Sequence, residues 1–295
     1  MLEKKTIKID FDESQIKIPS NLIGLDIGYS LSKIATYKNK ELYVSILDTN
    51  SEIEELKKFI ISHIGKISSL NFTGGKAFSL YKQYRDSFNV KLINEFEANV
   101  RGLKFLYLLQ KNKPLPPSIV VSIGTGTSMV LNRDQIEHIG GTALGGGFFM
   151  GFAKLVYKLS NYQEAIELTN KGKRYEVDLK VGDIYDKEDS RVNKLFREFT
   201  AASFGKLNHK IDLSSIDKRD VLSAINAMLA ENIGTIATLL ADNYNIPNII
   251  FCGGFLINNI VLKQILSLLC KIRNKKAIFL EDSEIAGALG SMVYD

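Results

Sequence analysis

The 295 residues predict an α/β protein built as two lobes that begin alike. β-like and helical runs alternate along the chain, punctuated by Gly, Asn and Ser. Residues 21–37 and 118–131 share one plan: an apolar strand, a turn of small and hydroxyl-bearing residues, then a second strand. That repetition suggests an internal duplication. The run KNKPLPPS at 111–118 holds three of the five prolines and reads as the linker, so lobes are expected at 1–113 and 114–295.

In order, LIGLDIG, SKIATY and LYVSIL read as three successive strands. A helix is expected over 52–64 with Ser51 as its N-cap, followed by the strand SSLNFT and a Gly-Gly turn. A helix near 78–84, the strand VKLI and a helix over 95–110 complete the first lobe. The second lobe opens with the strand–turn–strand repeat and continues with helices around 147–158, 162–170 and 220–244. The strand NIIF, a helix over 257–269, the strand KAIFL and a helix over 284–294 close it, the last able to pack back on the first lobe. The roughly twenty residues before the first strand carry no assignable role.

Lys and Arg total 38 against 33 Asp and Glu, a formal net charge of +5, with 45% hydrophobic residues. This is a globular composition, and a chain of this length buries roughly three quarters of its unfolded surface. Cys252 and Cys270 sit in apolar runs, which argues against a disulfide framework or a structural zinc site and for a reducing cytoplasm. The charged start lacks a signal-peptide core, and no uninterrupted run of about 18 apolar residues follows, so neither secretion nor a membrane span is expected. Without a basic stripe interleaved with aromatics, nucleic acid is disfavoured as a partner. His63, His138 and His209 form no metal-ligand spacing.

Two glycine turns facing one another suit a polyphosphate, because glycine lets backbone N–H groups approach phosphate oxygens and hydroxyls add donors. In the first, Asp26, Gly28, Ser30 and Lys33 supply a carboxylate at a strand end, a tight turn, a hydroxyl and a cation, a set suited to hydrated magnesium and a terminal phosphate. A plain hairpin with a solvated lysine is the competing reading. The second turn, with Thr125, Gly126 and Thr127, is denser in glycine and hydroxyls. Residues 140–147 run glycine-rich into an apolar helix, whose free first amides and dipole would attract an anion. The turn at Cys252, Gly253, Gly254 and Phe255 could hold a flat ring against bare backbone, Cys252 itself reading as a small buried hydrophobe. Glu95, where VKLI ends and a helix begins, can act as general base toward a substrate hydroxyl or can simply complement the helix dipole.

Nine motifs in order, GLDIGYSLSK, FTGGKA, NEFEANVRGL, SIGTGTSM, IGGTALGGGFFMG, VDLKVGDIYD, FTAASFGKL, CGGFLINN and EIAGALGSM, resemble those of the type II pantothenate kinases over nearly the whole chain from Leu22. The resemblance implies two actin-like (ribonuclease H-like) lobes with a nucleotide cleft between them. It also implies transfer of the γ-phosphoryl group of magnesium ATP to pantothenate by a homodimer, as the first step towards coenzyme A. Carried over by position, Glu95 is the catalytic base, and Asp26 holds Mg2+ through water. Asp26, Gly28, Ser30 and Lys33 then form the first phosphate segment. Thr125, Gly126 and Thr127 form the second, and Gly146, Gly147, Phe148, Met150, Tyr162 and Gly253 surround the nucleotide. His138 and Gly140 lie on the substrate side. Tyr29 stands where the family usually has a second glycine, and His138 where it has an arginine, so a different small hydroxylated acceptor is an open alternative. A non-catalytic subunit that binds nucleotide or an acyl-coenzyme A thioester is another.

Overall fold

The computed structural model describes residues 5–11, 18, 21–38, 40–49, 53–62, 69–194, 196–208 and 213–293. Ser51, His63 and His209 lie outside the described residues. In the first lobe β1 (Lys5–Ile9), β2 (Leu22–Ile27), β3 (Leu31–Lys38) and β4 (Glu41–Asp48) lead into α1 (Ile53–Ser62) and β5 (Ser69–Thr73). They are followed by α2 (Ala77–Tyr84), β6 (Asn89–Leu92) and α3 (Glu95–Lys111). The second lobe runs β7 (Ser118–Ile123), β8 (Thr127–Asn132), β9 (Ile136–Thr142), α4 (Gly146–Tyr157) and α5 (Tyr162–Lys171). It continues with the short β10 (Leu179–Lys180), α6 (Val181–Ile184) and β11 (Thr200–Ala202), then α7 (Lys218–Asn243), β12 (Asn248–Cys252), α8 (Ile260–Ile272), β13 (Lys276–Phe279) and α9 (Ala286–Met292).

The two main sheets repeat one topology. In the first, β4, β3 and β2 are antiparallel neighbours and β5 and β6 continue in parallel from β2. In the second, β9, β8 and β7 are antiparallel and β12 and β13 continue in parallel from β7. Several elements depart from the sequence reading, the short β10, α6 and β11 among them. β1, in the segment without an assigned role, pairs antiparallel with β4 and extends the first sheet. β9 begins in residues given no element and ends inside the glycine run at 140–147, and it is the counterpart of β4 that the duplication requires.

Period-two alternation divides each sheet's faces between two cores. On β2, Ile23, Leu25 and Ile27 pack outward with Leu56, Ile60 and Leu80 of α1 and α2. Leu22, Gly24 and Asp26 take the inner face. In the second sheet Ile119, Val121 and Phe251 face the outer helices, while Val120, Val130 and Ile250 face inward. The inner faces of both sheets close on α3 and α9, so the layers run helices, sheet, the α3–α9 pair, sheet, helices. On composition α7 is long and apolar enough to cross a bilayer. It is instead wrapped by protein, with Leu222, Leu229, Ile233 and Ala237 fully buried.

The α3–α9 contact depends on missing side chains. A Cβ on Gly102 of α3 would collide with the Ala286 carbonyl, and one on Gly290 of α9 with the Ala98 carbonyl. The helix backbones thus approach more closely than any larger residue permits. Their contact ties the chain's last helix to the helix that begins at Glu95.

Candidate active site

The cleft between the lobes lies at the carboxyl ends of β2, β7 and β12, where open α/β sheets bind ligands. It encloses about 650 Å3. Two hairpin turns face each other across it. The β2–β3 turn is closed by Gly28 N–H donating to Leu31 O at 3.0 Å, and the β7–β8 turn by Gly124 N–H donating to Gly126 O at 2.8 Å. Ser30 Oγ and Thr125 Oγ1 meet between them at 3.0 Å.

Asp26 and Lys33 are directly opposed across β2 and β3, which places their side chains on one face. Lys33 Nζ donates to Asp26 Oδ2 at 2.9 Å, with both side chains nearly buried. The pocket around this carboxylate is shaped by glycines from distant motifs. A Cβ on Gly74, whose φ of +95 suits glycine, would press on Asp26 Oδ1, and one on Gly287 of α9 on Oδ2. The sequence motifs around residues 74 and 287 thus share a physical purpose: to leave room for one buried acid.

Glu95 is the first residue of α3, beside Asn94, whose side chain accepts hydrogen bonds from Phe96 N–H at 2.9 Å and Glu97 N–H at 3.3 Å. The helix amides are therefore served by the cap, and the Glu95 carboxyl is left for the cleft that it lines. Partial desolvation first, and then the negative charge of Asp26, raise its pKa above the ordinary carboxylate value, with Lys33 acting in the opposite sense. A base tuned upward in this way is better matched to a proton from a hydroxyl.

On the second lobe Gly146, Gly147, Met150, Tyr162, Gly253, Gly254 and Phe255 wall the cleft. Tyr162 OH points at the carbonyls of Phe255 and Ile257, both at 3.0 Å, and so fixes the glycine turn after β12. Burial, with Glu284 adding to it, drives the Tyr162 phenol far above its ordinary pKa, so it remains a donor.

The expected anion site at the start of α4 is used differently. Gly146 N–H donates to Gly124 O at 2.8 Å and Gly147 N–H to Thr125 O at 2.9 Å. The first two amides dock the helix onto the second turn and are not left open for a ligand. Thr127 is likewise engaged: its buried hydroxyl donates to Leu144 O at 2.8 Å.

Of the sequence-derived residues, Asp26, Gly28, Ser30, Lys33, Glu95, Thr125, Gly126, Thr127, Gly146, Gly147, Met150, Tyr162 and Gly253 all border this cleft. Three do not. Phe148 is 41% exposed, because the third position of α4 points away from the lobe. Gly140 sits opposite Met129 on the side toward α7. His138 stacks on Phe96 instead of lining the cavity. Tyr29, expected near the phosphate path, does line the cleft, 65% exposed and with the Lys76 ammonium 4.4 Å above its ring. The sequence reading missed Asn99 and Glu284, which also line the cleft. Asn99 follows Glu95 by four residues, a spacing that shares a helix face. Glu284 carries no local signal.

Fold and site together define a two-lobed nucleotide-cleft protein of the actin-like class. Solved structures agree. The activator of the 2-hydroxyisocaproyl-CoA dehydratase from Clostridium difficile with bound ADPNP aligns with a TM-score of 0.60 at 16% identity, over 92% of this chain and 93% of that one. The ROK hexokinase from Thermus thermophilus aligns at 0.55 and 12%, over 92% and 97%. Residues 36–294 match the Fumble family. The type II pantothenate kinase of Bacillus anthracis is 36% identical over 275 residues, 92% of this chain and 96% of that protein. The one from Oceanobacillus iheyensis is 32% identical over 273 residues, 92% and 98%. The chain belongs to the type II pantothenate kinase family.

Proposed function

We propose that the protein transfers the γ-phosphoryl group of ATP to the primary hydroxyl of pantothenate, giving 4′-phosphopantothenate, the first step towards coenzyme A. The observation that carries this reading is the placement of Glu95 in one cleft with two opposed glycine–hydroxyl turns. The turns suit a phosphate chain, and the wall formed by Met150, Tyr162 and the turn at Gly253 suits the nucleoside. Glu95 accepts the hydroxyl proton as the alcohol oxygen bonds to phosphorus and the bond to ADP breaks. Lys33, together with N–H groups near Ser30, meets the charge on the transferred group. Closure of lobes divided near residues 113 and 114 excludes water, so that the alcohol outcompetes hydrolysis.

The donor chemistry fits Mg2+. Among the described residues no cluster of three or more metal-ligating side chains exists, and one buried carboxylate beside a phosphate path is what an ion that keeps its waters and phosphate ligands requires. Asp26 would hold it through water. Bound there, the cation supplies charge neutralisation on the phosphate oxygens. A homodimer working in the cytoplasm belongs to the same reading. The family resemblance supports the dimer, and the two buried free cysteines are consistent with a reducing compartment.

The test is ATP consumption with and without pantothenate, with mass detection of the product and Glu95→Ala as control. Product that depends on pantothenate and disappears in the variant supports the reading. Nucleotide binding without turnover on any pantothenate-like alcohol would sink it.

A further inference from the structure

The strand β9 does not pair regularly. Met129 opposes Gly140, but the next residue of β8, Val130, opposes His138, so Ile139 is an extra residue in the ladder. Such a bulge re-aims the side chains beyond it. Without it His138 would oppose Leu131 and share the outer face of the sheet. With it His138 shares the face of Val130, which belongs to the inner core toward α3 and α9. There its imidazole lies on the ring of Phe96, with centroids 4.4 Å apart and planes 14° from parallel. Phe96 directly follows Glu95, and its N–H is already tied to the Asn94 side chain. The first turn of α3 is thus held locally by its cap and, from the opposite lobe, by a stacked ring.

We propose that His138 is a positioning residue: through the bulge at Ile139 and the stack on Phe96 it fixes Glu95 relative to the second lobe, and it is not a ligand of the acceptor. This rests on the kinase reading above. Imidazole is suited to the role, since a flat ring stacks on Phe96 with well-defined geometry while the residue stays exposed. A strut of this kind transmits lobe orientation to the base. A displacement of about 1 Å at a reacting group can cost on the order of a hundredfold in rate.

The test compares His138→Ala, which removes the stack, with His138→Phe, which keeps a flat ring and removes both nitrogens. Expected for His138→Ala is a fall in kcat of about tenfold or more, a pantothenate KM changed by less than about threefold, and a displaced low-pH limb of kcat. His138→Phe should restore kcat and the limb. A His138→Phe variant as impaired as His138→Ala, with a raised pantothenate KM, would make the imidazole a ligand and overturn the proposal. Unchanged kcat in His138→Ala would overturn it too.

Two NMR readings stand apart from activity. The His138 ring protons should be shifted upfield in the wild type and lose that shift in Phe96→Leu; absence of the shift overturns the stack. The Glu95 carboxyl, which faces Asp26 and Lys33, should titrate at a different pH in His138→Ala and at the wild-type value in His138→Phe. An unmoved titration in His138→Ala counts against positioning. If the wild type transfers no phosphate to pantothenate, the kinase reading fails by itself, while these two readings still decide the inference.

Discussion

Ser30 Oγ and Thr125 Oγ1 lie 3.0 Å apart, joining equivalent turns of two repeated sheets across the cleft. Ninety-five residues separate them: Ser30 is the third residue after β2, in a turn of four residues, and Thr125 the second after β7, in a turn of three. On the function proposed above, the pair is where a phosphate chain entering the cleft would be gripped from both sides. Thr125→Val removes one hydroxyl from that grip, and a net hydrogen bond is worth about 1 kcal/mol. The KM for ATP should rise about fivefold, with Ser30→Ala similar. Because the two hydroxyls contact each other, the double variant should lose less than the sum of the two; strict additivity in a double-mutant cycle would show them to act independently.

Glu95→Gln should lower kcat by about a hundredfold or more while nucleotide binding survives. The direction of the pKa shift fixes two pH effects. The carboxyl's folded-state value lies above its unfolded value, so kcat should rise with pH through a limb above the ordinary carboxylate range. The same shift stabilises the fold only below the unfolded value, and that contribution is lost as pH rises through the folded one. Glu95→Gln should therefore melt slightly higher than the wild type at neutral pH. A lower melting temperature for the variant would contradict the raised value.

Gly290→Ala places a methyl group against the Ala98 carbonyl, part of a helix backbone that cannot step aside. Overpacking of this kind costs typically about 1–3 kcal/mol, and rigid backbone on both sides sets this site at the upper end. Urea unfolding should show the midpoint falling with little change in slope. Gly151→Ala offers a contrast, since a Cβ there meets nothing within 4 Å. It should be tolerated, or even stabilising, as an alanine in a helix.

Burial pushes both thiols up to about 12, with Ser122 and Lys33 acting in the opposite sense at Cys252. Thiolate is the reactive form, so at pH 8 an alkylating reagent should label neither cysteine in the folded protein and both in urea. Rapid labelling of Cys252 in the native state would show that the cleft opens to its floor.

Much of this architecture was legible in the sequence because it is written in local chemistry. The apolar runs from Leu22 and Ser118, each followed by small and hydroxyl residues, set two strand pairs and their turns. The end of the apolar run VKLI set the helix start at Glu95. Other features were not legible, because they arise from contacts distant in sequence. β9 was hidden by its glycines and becomes a strand only by pairing with β8. The amides of Gly146 and Gly147 looked free until the second turn offered them carbonyls.

The sequence by itself determined the α/β class, the duplication and a short roster of groups suited to phosphate, since spacing and residue type suffice for these. The tertiary structure alone decided which of them share a cleft. Asp26 needs Gly74 and Gly287 beside it, the Glu95 pKa is raised by desolvation and by the nearby Asp26, and His138 turns onto Phe96 because one extra residue in β9 reverses its face. Facing, burial and charge coupling depend on distance in space, which a linear order of residues does not contain.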